Sequence, residues 1–141
     1  MSKTRVVVTG LGVCAPNGVG IDAFTEALMQ GKSGIRFFSE LEKLKFSCQI
    51  GGMPLISETV KSKYFTPLQL RNFNSAGILY GVVAGVEAWQ DAGLPIDEET
   101  CEFDSGTIFG VGSLGVDKYR ESIYKIDEGN TRRLGSTSVQ Q

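Results

Sequence analysis

The hydrophobic and polar positions along the 141-residue chain alternate between short apolar runs and segments with a helical period. The first run, Arg5–Thr9, has four β-branched residues in five and is bounded by glycines, which is typical of a buried strand. A helix is predicted over Ala23–Gln30, with Asp22 as its N-cap and Gly31 as its C-terminal stop. Its apolar face carries Phe24, Ala27 and Leu28. The chain therefore opens on a predicted strand, a glycine-rich loop and a helix.

The middle of the chain predicts one long helix after an irregular stretch. Residues 32 to 67 show no sustained period, although "FSCQIGG" could form a short strand. Pro67 suits the first turn of a helix that runs to Ala92, where Gly93 and Pro95 would end it. Apolar residues recur along it at helical spacing. These positions are expected to be mostly buried: Ile78, Leu79, Val82, Val83, Val86 and Trp89.

Three glycines of this predicted helix, Gly77, Gly81 and Gly85, fall four residues apart. They would stack on one face and let another backbone come close, although each costs up to about 1 kcal/mol in helix propensity relative to alanine. A closely packed partner must offset that cost. The membrane interpretation of this spacing fails, because Glu87 and Asp91 lie within the same span.

A second strand and a second helix are predicted towards the end of the chain. The strand covers Gly106–Phe109, and the helix covers Asp117–Ile126. The apolar side of the helix carries Tyr119, Ile123 and Ile126. The order of elements indicates an α/β layered fold with an incomplete sheet. Thr137 and Gln140 form a capping-box pattern, so we expect the front piece of a longer protein, with a polar tail as the alternative.

Composition and charge exclude several function classes. The chain is 41% hydrophobic and 21% charged, with a formal net charge of -2, so bulk charge indicates neither a nucleic acid nor an anionic membrane as partner. No apolar window suits a membrane helix or a signal peptide, and a cytoplasmic protein is expected. The chain has no histidine, which removes the usual general base and metal ligand. No metal, cofactor or catalytic role is assigned to the cysteines Cys14, Cys48 and Cys101, which form no C-x-x-C pair.

Two glycine-rich stretches fit the G-x-G-x-x-G/A spacing of dinucleotide-binding loops. We name them the first glycine loop, Gly10–Gly20, and the second glycine loop, Gly110–Gly115. A phosphate loop needs a helix that opens directly off its glycines, and in the first glycine loop Pro16–Gly20 separates the motif from the helix. Neither stretch is followed by a strand that ends in an acidic ribose partner. Nucleotide binding is therefore a distant alternative.

Four blocks of the chain, in order, resemble the opening portion of the β-ketoacyl-[acyl carrier protein] synthases. They are "RVVVTGLGVCAPNGVGIDAFTEALMQGKSGI", "GVVAGVEAWQDAGL", "GTIFGVGSLG" and "LGSTSVQQ". The resemblance runs nearly end to end, and residues 37–63 contribute nothing to it. It implies the front part of the first half of a thiolase-like layered α/β/α/β/α fold. Residues 1–141 would then be an N-terminal fragment of the synthase N-terminal domain.

The resemblance implies a decarboxylative Claisen condensation of an acyl thioester with malonyl-acyl carrier protein, in fatty acid, polyketide or pigment biosynthesis. The family uses a cysteine nucleophile and two histidines, all expected beyond Gln141, so the chain alone is expected to be inactive. Acyl carrier protein is the implied partner, and the intact protein would be a homodimer or a ketosynthase-type heterodimer without a cofactor. A non-condensing partner of the chain-length-factor kind is the alternative.

The resemblance also implies a border of the acyl pocket. The loop "GVGSLG" would contribute Ser113 and Leu114, and the segment "RRLGST" would contribute Arg133 near the dimer interface. Ser113 stands where several elongating relatives have an apolar residue, and Arg133 where they have an aromatic one. We therefore expect a pocket altered in shape or polarity, as in a polyketide- or pigment-type relative. The alternative is that both side chains face solvent.

Overall fold

The computed structural model describes residues 4–73, 75–95, 105–113 and 115–134. The chain divides into two units, Met1–Ser57 with Val83–Ile96 and Glu58–Val82 with Asp97–Gln141. Short helices and two β-hairpins make up the described elements. The structure is therefore a small α/β assembly with short sheets, in agreement with the predicted class.

The elements follow one another in a mixed order. Those before Ser57 are β1 (Cys14–Ala15), β2 (Gly18–Val19), α1 (Ile21–Met29), β3 (Ile35–Phe37), α2 (Ser39–Lys43) and β4 (Ile50–Gly52). Those after it are α3 (Glu58–Tyr64), α4 (Pro67–Asn72), α5 (Ala76–Asp91), α6 (Val116–Asp127) and a single 3-10 turn at Thr131–Arg133. The region 32–67, predicted as irregular with one short strand, thus contains a hairpin and two short helices.

The two hairpins of the first unit pack on each other. β1 pairs antiparallel with β2, and β3 pairs antiparallel with β4, with Ile35 opposite Gly52. A Cβ on Gly34 would lie 2.5 Å from the Asn17 nitrogen, and one on Gly52 would lie 2.8 Å from Pro16 Cγ. These glycines let the second hairpin approach the turn of the first hairpin at backbone distance.

Helix α1 confirms the predicted helix but not its cap. The N-cap is Gly20, at φ 91, which makes no side-chain capping hydrogen bond, and Asp22 lies in the first turn instead. Gly31 adopts φ 63 after the last turn, as the predicted C-terminal stop requires. Ala27 is buried on the inner side of the helix, whereas Leu28 is 57% exposed.

The long helix predicted from Pro67 to Ala92 is two helices. Phe73 breaks it, with φ -129 and ψ 84, and α5 begins at Ala76. Pro67 occupies the first turn of α4 as predicted. Thr66 Oγ1 accepts a hydrogen bond from the Gln69 nitrogen at 3.3 Å, and Gln69 Oε1 accepts one from the Thr66 nitrogen at 2.8 Å. This reciprocal cap fixes where α4 starts.

The predicted end of α5 is confirmed. Gly93 takes φ 70 and its nitrogen donates to the Gln90 carbonyl oxygen at 2.9 Å. Beyond it, the chain turns back so that Trp89 Nε1 donates to the Pro95 carbonyl oxygen at 2.8 Å. The indole N–H thereby ties the last turn of the helix to the segment that follows it.

The buried apolar core of the described residues is small. It comprises Ala27 in α1, Phe65 between α3 and α4, and Leu79 and Val83 in α5. Ser75, just before α5, is also fully buried, and its hydroxyl has no hydrogen-bond partner among the residues that the structure describes. The expectation that α5 is mostly buried is confirmed in part: of its six apolar positions expected to be buried, Leu79 and Val83 are buried and the other four are intermediate, with none exposed.

Two predicted strands are not strands in the structure. Arg5–Thr9 and Gly106–Phe109 have no regular structure, and Val6 is 91% and Ile108 100% exposed. A strand needs a neighbour for its N–H and C=O groups, and the two described hairpins pair only within themselves. Both apolar runs therefore lie at the surface of the chain.

Helix α6 confirms the predicted C-terminal helix, and its apolar side is exposed to solvent. Tyr119 is 70% and Ile126 53% exposed. No helix in the described ranges combines the length and apolarity needed to cross a membrane. The capping-box pattern of Thr137 and Gln140 lies outside the described residues.

Candidate functional site

The glycines of the first glycine loop pack directly on the backbone of α5. A Cβ on Gly12 would overlap the Ala84 carbonyl oxygen and would lie 2.7 Å from the Ala88 nitrogen. A Cβ on Gly10 would lie 2.5 Å from the Ala92 nitrogen. The three alanines are spaced four residues apart, so they form one row of small side chains along the helix. This close approach explains the glycine spacing without a phosphate.

Two carboxylates of α5 hold the loop through its backbone. Glu87 Oε2 accepts a hydrogen bond from the Val13 nitrogen and Glu87 Oε1 accepts one from the Ile21 nitrogen, both at 2.8 Å. One turn further along, Asp91 Oδ2 accepts from the Leu11 nitrogen at 2.9 Å. Three backbone donors of the loop and of the start of α1 are thus satisfied by side chains from one helix face.

Glu87 supplies the cap that α1 lacks. Ile21 is the first residue of α1, and its N–H is one of the donors that a helix leaves without an internal partner. A carboxylate there satisfies the donor and interacts favourably with the helix dipole. The predicted cap at Asp22 is therefore replaced by a tertiary one, which Gly20 accommodates because its missing Cβ would lie 3.2 Å from Glu87 Oε1.

These hydrogen bonds also bear on nucleotide binding. A phosphate bound at this loop would need the same backbone N–H groups as donors. Those groups already donate to Glu87 and Asp91, and the two carboxylates would repel a phosphate. The first glycine loop is therefore occupied by the carboxylates of its own chain. The sequence signal for this contact is the spacing of Glu87 and Asp91, which stand four residues apart beside the alanine row.

The described cysteines lack the setting of a nucleophile. Cys14 is half-buried in β1, and burial, reinforced by the negative charge of Glu87, raises the pKa of its thiol above the ordinary value of 9.0. Cys48 is exposed, and its Sγ donates to the Ile50 carbonyl oxygen at 3.5 Å. Cys101 lies outside the described residues. A thiol kept neutral is a poor nucleophile, so the geometry gives Cys14 no catalytic advantage.

The second glycine loop is open. A Cβ on Gly110 or on Gly112 would meet nothing within 4 Å, and Ser113 is exposed. Leu114, also predicted to border the acyl pocket, lies outside the described residues. Arg133 ends the 3-10 turn that follows α6. Ser113 thus precedes α6 and Arg133 follows it, and their sharing of an acyl pocket stays a prediction.

The glycine row predicted on the long helix meets a side chain at its centre. A Cβ on Gly81 would lie 3.5 Å from the ring of Phe109, which is an ordinary van der Waals distance. At Gly81 the close neighbour is thus a side chain, and the backbone approach that the structure shows on this helix is at Ala84, Ala88 and Ala92. The expectation is not met at Gly81, and for Gly77 and Gly85 it stays a prediction.

An open groove of about 780 Å³ runs along the second hairpin. Arg36 lies at this groove with its guanidinium 4.9 Å from the centre of the Phe38 ring. Among the described residues, no group of three histidine, cysteine, aspartate or glutamate side chains is arranged to hold a metal ion.

Comparisons with a family model and with individual known proteins identify the same family. Residues 3–140 match the model of the β-ketoacyl synthase N-terminal domain. The chain is 35% identical to 3-oxoacyl-[acyl-carrier-protein] synthase 2 of Vibrio harveyi over 83% of its own length and 27% of that protein. The same synthase from Vibrio cholerae is 33% identical, over 95% of the chain and 31% of that protein.

A polyketide relative also matches. The chain is 29% identical to the tetracenomycin polyketide synthase ketoacyl synthase beta subunit of Streptomyces glaucescens, over 86% of the chain and 29% of that protein. The chain thus spans less than a third of the length of these relatives. Because the family match extends over nearly all of its residues, the chain belongs to the β-ketoacyl synthase family, and the match is to the N-terminal domain of that family.

Proposed function

We propose that this chain forms the N-terminal part of a β-ketoacyl-acyl carrier protein synthase. The whole protein would be an acyltransferase that condenses an acyl thioester with malonyl-acyl carrier protein and releases carbon dioxide, in fatty acid, polyketide or pigment biosynthesis. The observation that carries the proposal is the family match over residues 3–140. The names of the two Vibrio relatives support the same reaction.

The catalytic groups of the whole protein are expected to lie outside this chain. It has no histidine, and Cys14, the half-buried cysteine, holds its proton. By the family resemblance, the nucleophilic cysteine and the two histidines that assist decarboxylation would come from sequence beyond Gln141. This chain would supply the front of a thiolase-like layered fold, in which Arg5–Thr9 and Gly106–Phe109 find strand neighbours. On its own it is expected to be inactive.

The proposal extends to the acyl pocket. Ser113 and Leu114 would border it from the second glycine loop, and Arg133 would lie near its far end at the dimer interface. Ser113 is exposed in this chain, so it is free to face a substrate when the rest of the domain is present. In the full-length protein, Ser113→Leu and Arg133→Phe are expected to shift acyl selectivity towards plain long chains. Unchanged selectivity with unchanged turnover in both variants would contradict the pocket assignment.

A second candidate is a non-condensing partner of the chain-length-factor kind. The observation that favours it is the match to a polyketide synthase ketoacyl synthase beta subunit. The two candidates differ in one residue beyond Gln141. A cysteine at the start of the next buried helix supports the condensing enzyme, and its replacement by another residue supports the partner.

The test of the main proposal is an assay of the full-length protein with acyl-acyl carrier protein and malonyl-acyl carrier protein, in the cytoplasmic conditions we expect for it. Mass spectrometry should detect the β-ketoacyl product with stoichiometric carbon dioxide, and size measurement should give a dimer. The matched control replaces the cysteine beyond Gln141 by alanine, which should abolish condensation. A full-length protein that carries the cysteine, folds and forms no product would contradict the proposal.

A further inference from the structure

The open groove of about 780 Å³ lies on the second hairpin, where a glycine leaves space beside an aromatic ring. Residues 36–41 and 51–53 line this groove. Gly51 is paired with Arg36, and a Cβ on Gly51 would lie 3.5 Å from the ring of Phe38. Because side chains alternate along a strand, these three residues share one face of the hairpin. The missing side chain of Gly51 therefore leaves a depression next to the Phe38 ring.

Arg36 brings an oriented positive charge to this groove. Its guanidinium lies over the Phe38 ring, 4.9 Å from the ring centre. Arg36 is exposed, and among the described residues it forms no ion pair. A stacked guanidinium keeps the N–H groups around its edge available, and their planar fork matches the two oxygens of a carboxylate. The groove thus presents an unpaired cation that suits a carboxylate.

The rest of the lining is mostly apolar and carries one opposing charge. Leu41 and Met53 add aliphatic surface to the ring of Phe38. Glu40, in the first turn of α2, also lines the groove, and no ion pair joins it to Arg36. A ligand that places one carboxylate at Arg36 and uncharged apolar groups elsewhere is complementary to this lining.

The main chain of β3 offers a further means of recognition. The Phe38 nitrogen donates to the Gln49 carbonyl oxygen at 2.8 Å, and hydrogen-bonded pairs alternate along an antiparallel ladder. Arg36 and Gly51 are therefore the next hydrogen-bonded pair, and the N–H and C=O groups of Phe37 point away from β4. In the described part of the chain, β4 is the only strand that pairs with β3. The outer edge of β3 is thus open to pairing with another extended chain.

We propose that the groove and the outer edge of β3 form a docking site for an extended peptide segment of a partner protein. The segment would pair with the main chain of Phe37 and place a carboxylate on Arg36. Two residues away, on the same face, an apolar side chain would cover the depression at Gly51. The inference rests on the geometry of the first unit and does not require the proposed enzymatic function.

An extended peptide fits these observations better than a small amphipathic carboxylate such as a fatty acid. Sites for small molecules enclose most of their ligand, whereas this groove is open along the hairpin. A fatty acid would use Arg36 and the apolar lining, but it would leave the outward-facing N–H and C=O groups of Phe37 without a partner. A peptide strand uses all three features.

The experiment titrates the full chain, isotope-labelled for nuclear magnetic resonance, with a synthetic nonapeptide. The peptide has glutamate at its centre, valine two residues to either side, lysine at both ends and threonine elsewhere, so it fits β3 in either direction. We expect saturable shifts of the Phe37 amide and of the Arg36 side-chain N–H groups. Hydrogen exchange at the Phe37 amide should slow, because a strand partner then accepts from it.

Three substitutions in the groove test its chemistry. Arg36→Met should weaken binding about tenfold or more, because the charge-assisted hydrogen bonds are lost, and Arg36→Lys should restore only part of this loss because it lacks the planar fork. Gly51→Val should abolish binding by filling the depression. Arg120→Met is the matched control, since Arg120 is an exposed arginine of α6 that also lies over a ring, that of Tyr124, and it should leave binding unchanged.

Two changes to the peptide test the same contacts without altering the chain. Glutamine in place of the central glutamate should weaken binding as much as Arg36→Met does. N-methylation of the two threonines beside the glutamate should abolish binding, because one of them lies opposite Phe37 and its N–H is needed for strand pairing.

Several results would overturn the inference. One is the absence of saturable shifts up to about 1 mM peptide. Another is binding that Arg36→Met or N-methylation of the peptide leaves unchanged. Laurate that displaces the peptide while Phe37 exchange stays fast would instead indicate a site for small carboxylates. Phe37 exchange that slows with rising chain concentration, without peptide and together with dimer formation, would show that a second copy occupies the edge.

Discussion

The first glycine loop lies against α5, whereas Gly110 and Gly112 of the second glycine loop face open space. Both stretches fit the G-x-G-x-x-G/A spacing, and both follow an apolar run that pairs with no strand in the described part of the chain. In the first, glycine is required because the helix backbone occupies the place of a side chain. In the second, the described contacts place no such demand. Equal spacing therefore does not imply an equal physical role, and each glycine has to be judged by what a Cβ would meet.

The largest effect is expected for Gly12→Ala. The added Cβ would overlap the Ala84 carbonyl oxygen and press on the Ala88 nitrogen, and both are helix backbone that cannot move aside locally. We expect a loss of about 3 kcal/mol or more in the free energy of unfolding, at the upper end of overpacking costs. Urea unfolding followed by circular dichroism measures it. A loss below half of this value would mean that the loop does not pack on α5 as described.

A smaller loss is expected for Gly115→Ala, at the end of the second glycine loop. Gly115 caps α6 at φ 70, a conformation that costs an alanine roughly 1–2 kcal/mol. The strain comes from the left-handed backbone conformation and not from a steric clash. Asparagine tolerates that conformation better than alanine, so Gly115→Asn should lose less unfolding free energy than Gly115→Ala. Helical content and unfolding free energy of both variants are the measurements. An alanine variant as stable as the parent chain would show that α6 starts in another way.

Cys14 offers a chemical probe of the closed loop. Because burial and the charge of Glu87 raise the pKa of its thiol, alkylation of Cys14 should be several-fold slower in the native chain than in concentrated urea. The pH midpoint of the native rate should lie above the ordinary value of 9.0. The experiment uses a chain with Cys48→Ser and Cys101→Ser. Since the folded thiol holds its proton more tightly, the stability from this group is present below pH 9.0 and lost as pH rises through the folded midpoint. Equal native and denatured rates would contradict a packed first loop.

The smallest effect is expected for Gly112→Ala, the matched counterpart of Gly12→Ala. A Cβ there meets nothing within 4 Å and the residue is not in the left-handed region, so the free energy of unfolding should change by about 0.5 kcal/mol or less. The same urea experiment measures it. A loss comparable with that of Gly12→Ala would remove the contrast between the two loops.

The sequence predicted helices better than strands, for a physical reason. A helix satisfies its backbone from its own residues, so Gly31, Pro67 and Gly93 marked real helix boundaries. A strand is satisfied by a neighbour, and the β-branched runs Arg5–Thr9 and Gly106–Phe109 have none among the described residues. The break at Phe73 was missed because no proline or glycine marks it.

The contact of Glu87 with the first glycine loop was missed for a related reason. A tertiary cap joins residues more than sixty positions apart, and its acceptor lies on a helix whose apolar pattern draws attention to other positions. The sequence argument against a phosphate site rested on the distance between the glycine motif and the helix. The structure adds that the donors are already occupied. The pocket residues Ser113, Leu114 and Arg133 depend on family resemblance alone, and no local pattern could replace it.

Trp89, whose indole N–H donates to the Pro95 carbonyl oxygen, can report on the end of α5 through its intrinsic fluorescence. Trp89 is the chain's only tryptophan, and it stands in the last turn of α5, next to the alanine row that receives the first glycine loop. Its emission therefore comes from a single site without background from elsewhere. A red shift of its emission maximum on mild heating or on addition of denaturant would show when that helix end unfolds. The emission maximum before unfolding reports how well the indole is shielded from water in the folded chain.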